Sequence, residues 1–482
     1  MQMIYGVNDR PKAGQLVLFA IQQLLAIITA TIVVPVIVNG AAAAQGLDIR
    51  LDPAAALFGA GVGTLVYLLF TKWKSPVFLG SSFAFLSSLT TAVTCGYWGI
   101  IMGTVIAGLV YVAIALVIMF VGSAWVNKLL PPVIIGPTVA LIGLSLAGNA
   151  VGDVMKASAT GNPDNLIAIL CGIVTFFVVV ICSVKGTKTM RLVPFVIGIV
   201  AGYALASVFT GIGHAAKADY LKIVDYSALV NNFSDLSFTS FLDYPKFTFL
   251  HGWDLSGQEF LTVFIAYAPV AFVVLAEHIA DHKNIGSIIE KDLITDPGLH
   301  RTLLGDGVGS LVGGFFGGCP NTTYGESVGC VAITRNASVI TIMAAAILAI
   351  IVSFVSPVVA FINTIPSCVM GGVCLALYGF IAVSGLKMLQ PVDLNENRNL
   401  FVVSAILIAG VGGLVLNFGK VHVTSVATAL ILGIVTNLIL KPWKKEKPAA
   451  VQSTEAVAAS TEENAEDNKE TQEEEEEHDK AE

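Results

Sequence analysis

Long apolar runs separated by short polar breaks dominate this chain. Runs of spanning or near-spanning length fall near residues 15–39, 55–70, 76–93, 98–121, 130–148, 165–184 and 192–210. A polar stretch at 211–257 follows, and then runs near 260–282, 303–318, 321–338, 339–357, 366–386, 399–416 and 424–440. About 20 apolar residues cross a bilayer as a helix, so the pattern predicts an all-α polytopic membrane protein of fourteen transmembrane segments, seven on each side of the polar stretch. Asp9, Arg10 and Lys12 precede a first run long enough to span, which reads as a retained segment rather than a cleaved signal.

The two halves resemble each other. Asp164-Asn165-Leu166 aligns with Arg398-Asn399-Leu400, Gly198-Ile199-Val200 with Gly433-Ile434-Val435, and the Gly136 to Gly148 run with Gly371 to Gly385, all at a shift of roughly 235 residues. A repeat of seven spans re-enters from the opposite side, so the expectation is a 7+7 inverted repeat. With the N-terminus inside, eighteen Lys and Arg residues fall on the inner side and six on the outer, which predicts cytoplasmic termini and an extracellular 211–257.

Two segments break the apolar pattern in matching ways. Segment three opens Pro76-Val77-Phe78-Leu79-Gly80-Ser81-Ser82-Phe83, and segment ten opens Pro320-Asn321-Thr322-Thr323-Tyr324-Gly325-Glu326. Pro, Gly and hydroxyl residues at the head of a span predict a short extended strand followed by a half-helix, whose free N–H groups point into a cavity. Close helix packing by small residues is the bland alternative, but it leaves Glu326 unexplained, since intramembrane acids are rare and mostly functional. Glu277 lies in Leu275-Ala276-Glu277-His278-Ile279-Ala280-Asp281-His282, where Glu277 and Asp281 share one helix face and His278 and His282 another. The histidine pair has metal-like spacing, yet no third ligand is indicated.

Composition agrees with the pattern: 55% of residues are hydrophobic and 12% charged, against about 25% charged in soluble domains. The net charge of -8 comes from an acidic, low-complexity stretch at the C-terminal end, expected to be disordered. Seven cysteines show no CxxC pair and read as small core residues.

At Gly80-Ser81-Ser82-Phe83-Ala84-Phe85, Ala276-Glu277-His278, Asp296-Pro297-Gly298-Leu299-His300-Arg301 and Pro320 to Glu326, the chain resembles the nucleobase–ascorbate transporter family. The resemblance runs from about Gly6 to Lys441. It implies a cytoplasmic N-terminus (1–14), a core domain (15–122 and 258–357), a gate domain (123–210 and 358–441), an extracellular loop (211–257) and a cytoplasmic tail (442–482). The implied activity is proton-coupled uptake of uracil across the bacterial cytoplasmic membrane by alternating access. The coupling ion is H+ and no cofactor is implied. Glu277 and Glu326 would hydrogen-bond the base, Phe83 would contact its ring, Gly325 and Tyr324 would offer backbone groups, and Ala30 would close the pocket. Uracil carries two N–H donors and two carbonyl acceptors, which carboxylates and backbone N–H groups suit.

Three positions depart from the family's motif. Its His one turn after the first Glu is Asp281, its Gln-His pair in segment one is Gln22-Gln23, and the Asn after the second Glu is Ser327. The proton-coupling role therefore falls to Glu277 with Asp281 or His278, because a carboxyl buried beside another acid holds its proton more tightly. The expected partners are a small-molecule nucleobase and membrane lipid, with a homodimer left open and no nucleic acid. The rivals are a xanthine, uric acid or other purine permease of the same family, an anion carrier of related fold, and a membrane enzyme. An anion carrier wants a cation at the half-helix termini, where this chain has acids, and an enzyme wants a nucleophile or metal cluster that the sequence does not offer.

Overall fold

The structure is a computed structural model that describes residues 3–157, 165–253, 255–418 and 421–440. The 442–482 tail, Asp164 and Lys420 lie outside the described residues. Two compact units are present, residues 1–436 and 437–482, and of the second, residues 437–440 are described.

The first half contains α1 (Ala13–Ala44), α2 (Pro53–Phe70), β1 (Leu79–Ser81), α3 (Leu86–Ala92), α4 (Gly96–Val121), the short α5 (Ala124–Leu129), α6 (Pro132–Ser145), α7 (Ala147–Met155), α8 (Leu166–Lys185), the short α9 (Lys188–Leu192) and α10 (Pro194–Ala216). A small α11 (Ser227–Ser234) lies in the polar stretch. The second half contains α12 (Gly257–Ile289), α13 (Leu299–Gly317), β2 (Asn321–Thr323), α14 (Gly325–Thr334), α15 (Val339–Ser353), the short α16 (Ser356–Thr364), α17 (Ser367–Lys387), α18 (Asn397–Val411), the β3–β4 hairpin (Leu416–Phe418 and Val421–Val423) and α19 (Ser425–Ile439). Each apolar run of the sequence has a helical counterpart.

Local chemistry sets the helix starts. Pro53, Pro132 and Pro194 occupy first turns, where a missing N–H costs nothing. Asp52 caps α2 by accepting from the Ala54 N–H at 2.9 Å, and its second oxygen accepts from the Lys246 N–H at 2.8 Å. Ser256 and Glu259 form a capping box at the head of α12.

The helices pack in two groups. In the first, α13 lies against α2 and α4, α15 against α1 and α2, and α12 against α4. In the second, α17 lies against α6, α7 and α8, α10 against α8, and α18 against α6. Backbones approach very closely at the centre of each group: a Cβ on Gly59 of α2 would fall 2.2 Å from the Gly313 carbonyl oxygen of α13, and one on Gly372 of α17 would fall 2.2 Å from that of Gly172 of α8. Glycine here serves packing, since only its absent side chain lets the backbones meet.

The strands β1 and β2 pair antiparallel with Leu79 opposite Thr323, Gly80 opposite Thr322 and Ser81 opposite Asn321. Bonds from Ser82 N–H to the Pro320 carbonyl (2.8 Å) and from Tyr324 N–H to the Phe78 carbonyl (3.1 Å) extend the pairing at both ends. Two extended stretches far apart in sequence thus satisfy each other's backbone groups, which irregular chain inside a bilayer requires. The strands deliver α3 and α14 to a common centre.

Candidate substrate site

α12 supplies two adjacent faces, about 100° apart. His278 and His282 turn into the protein and are fully buried. His278 Nδ1 lies 2.7 Å from Asp306 Oδ2 and its Nε2 3.0 Å from Thr302 Oγ1. His282 Nδ1 lies 2.8 Å from the His278 carbonyl, and its Nε2 2.7 Å from the Tyr67 hydroxyl. Because the His282 Nδ1 faces a carbonyl, that nitrogen donates. All four ring nitrogens are engaged by protein groups, so the metal-like spacing of this pair is used for packing α12 against α13 and α2. His278, a candidate for proton coupling, stands among these partners and not with Asp281.

The other face carries Glu277 and Asp281. Asp281 Oδ2 accepts from the Thr323 hydroxyl of β2 at 2.8 Å. A Cβ placed on Gly325 would sit 3.9 Å from Asp281 Oδ1, so the first residue of α14 lies against this carboxyl. Glu277 lies within electrostatic reach of Asp281, Glu326 and Asp306, and its buried Oε2 has no hydrogen-bond partner among the described residues. A buried unpartnered carboxylate oxygen is costly, and a ligand N–H is the group that would relieve it.

Glu326 stands in the first turn of α14, where the N–H groups have no intrahelical acceptor. Gly325 is exposed, in contrast to its buried neighbours Thr323 and Tyr324. Tyr324 differs from its expected role: its N–H is already donated to Phe78 and its hydroxyl to the Ser81 carbonyl at 2.9 Å, so it braces the strands and has no N–H free for a ligand. Phe83, at the end of the β1 stretch, meets Tyr378 of α17 edge to face, with centroids 5.8 Å apart and planes at 75°. This contact joins the two helix groups. Ala30 is buried in α1. A cavity of about 550 Å³ opens beside Asp281, lined by Lys283 of α12, Ile135 of α6, and Phe380, Ser384 and Lys387 of α17 among others.

Sequence reasoning missed Asp306, Thr323 and Tyr378. Asp306 carried a readable signal, an acid inside the Gly-rich apolar run of α13, whereas Thr323 and Tyr378 are ordinary residue types whose positions only folding reveals.

Among the described residues, eight helices are long and apolar enough to cross a membrane. Together with the paired half-helix heads they define a polytopic membrane transporter fold. A family model described as the Permease family matches residues 14–418, and the chain belongs to that family. It is 40% identical over 447 residues to a uracil permease of Bacillus caldolyticus, covering 91% of this chain and 94% of that one. To a uracil permease of Escherichia coli (strain K12) it is 36% identical, covering 92% and 96%. Among solved structures, the transmembrane domain of the cyanobacterial bicarbonate transporter BicA superposes with a TM-score of 0.58 at 13% identity, covering 89% of this chain and 99% of that one, a likeness of fold alone.

Proposed function

We propose that this permease takes up a neutral pyrimidine base, uracil, together with a proton. The observation that carries the reading is that Glu277, with its unpartnered buried oxygen, lies within electrostatic reach of Glu326 at the head of α14. Carboxylates accept the two N–H groups of uracil, free N–H groups at the α14 terminus donate to a carbonyl, and an aromatic ring covers the base. The uracil permeases to which the chain is 36% and 40% identical support the same substrate class.

A neutral base cannot be concentrated by its own gradient. Protonation within the Glu277, Asp281 and Glu326 cluster lets the loaded site cross without net buried charge, which ties uptake to the proton gradient. Movement is that of the first helix group, the core, against the second, the gate, with Phe83 and Tyr378 at the sliding contact. The β1–α3 and β2–α14 pairs, at corresponding places in the two halves, are the elements an inverted 7+7 repeat with cytoplasmic termini would bring together at mid-membrane. The test is uptake of labelled uracil into proteoliposomes under an imposed inward proton gradient, with unlabelled uracil, xanthine and uric acid as competitors. Competition by xanthine but not by uracil would sink the pyrimidine assignment.

A further inference from the structure

The Ser327 hydroxyl is a junction between three separate pieces of chain. It receives the side-chain N–H of Gln23 from α1 and, at 3.0 Å, the backbone N–H of Phe78 from the stretch leading into β1. Ser327 is fully buried and Gln23 nearly so. Two donors occupy both lone pairs of the hydroxyl oxygen. Water cannot replace the serine in so enclosed a place without two to four polar partners of its own.

Ser327 immediately follows Glu326. Neighbouring residues on an α-helix project about 100° apart, so fixing one fixes the direction of the other. Tyr324, through its bonds to Phe78 and Ser81, anchors the strand that leads into α14, and the bonds at Ser327 tie down the first turn of the helix itself.

We infer that Gln23 and Ser327 act as a coupled pair of positioning residues that sets the direction of the Glu326 carboxylate, and hence the selection of bases by their N–H groups. Neither touches substrate. The inference rests on the proposed uracil site, and it locates the specificity of that site partly in α1.

The experiment uses purified full-length protein in detergent and measures binding of uracil, 1-methyluracil and 3-methyluracil by displacement of labelled uracil. Each methyl blocks a single N–H, so the ratio of affinities reports how strictly the acceptor opposite is aimed. Wild type should prefer uracil over the derivative blocked on the Glu326 side. Ser327→Ala and Gln23→Ala should each narrow that preference by roughly tenfold, the effect of losing about 1.4 kcal/mol of discrimination, and the double variant should narrow it no further than either single one. Ser327→Thr, which retains the hydroxyl, should keep the wild-type ratio. A general loss of stability would weaken all three ligands together and leave the ratio unmoved. If wild type binds uracil and the ratio is unchanged in both Ala variants, or the two effects simply add, the positioning role is wrong while the uracil site stands. If wild type binds no uracil, the proposed function fails and this inference with it. Should Ser327→Ala not fold, Gln23→Ala against Ser327→Thr reads the same ratio.

Discussion

His278 Nδ1 stands 2.7 Å from Asp306 Oδ2, with both side chains buried, and this contact fastens α12 to α13 directly behind Glu277. Removing one member of a buried hydrogen-bonded pair leaves the other unsatisfied, which costs about 1–3 kcal/mol. Asp306→Ala should therefore lower the unfolding free energy by about 1–3 kcal/mol, and Asp306→Asn by less, because the amide keeps a hydrogen-bonding oxygen near the same place. Thermal unfolding in detergent reads both, and equal stability of Asp306→Ala and wild type would show that the contact contributes nothing.

Uracil should protect the protein from unfolding. At one hundred times its Kd a ligand that binds only the folded state adds about 2.7 kcal/mol. Glu326→Ala and Glu277→Gln should each reduce that protection to near zero, and Glu277→Gln should leave the ligand-free protein folded, since it keeps the side chain's shape and alters an oxygen with no hydrogen-bond partner among the described residues. Retained protection in both variants would contradict their placement in the site.

Asp281 is held by Thr323 and borders the cavity beside α17. If it carries the coupled proton, Asp281→Asn should bind uracil and exchange it across the membrane but should not accumulate it under an imposed proton gradient. Proton-driven accumulation at the wild-type rate in de-energised vesicles would assign the role elsewhere.

A Cβ on Gly59 would lie 2.2 Å from backbone of α13, whereas one on Gly379 of α17 meets nothing within 4 Å. Gly59→Ala should destabilise by about 1–3 kcal/mol or more, because neither backbone can yield locally. Gly379→Ala should be neutral, or stabilising by up to about 1 kcal/mol through helix propensity. The two melting temperatures, measured side by side, separate a glycine needed for close approach from one that is not.

Much of this arrangement was legible before folding. The apolar runs gave the helices, because a segment in lipid must satisfy its own backbone and helical periodicity needs no distant partner. The Pro- and Gly-broken heads of segments three and ten pointed to extended chain, and Glu277, Asp281 and Glu326 stood out as acids where acids are expensive. The partners of His278 were not legible, because Asp306, which meets its Nδ1, comes from α13. Tyr324 is similar: its N–H is free or spent according to where Phe78 lies, and the two are separated by about half of the chain.

The sequence by itself determined the helical segments, the membrane setting and the acids that gather at the site, because each of these follows from local composition and spacing. Only the tertiary structure decided which strand Asn321 to Thr323 pairs with, which face of α12 meets solvent-accessible space, and that Gln23 meets Ser327 across the core. Those outcomes depend on contacts between residues hundreds of positions apart, where many partners of the same residue type compete and only the packing of whole helices selects among them.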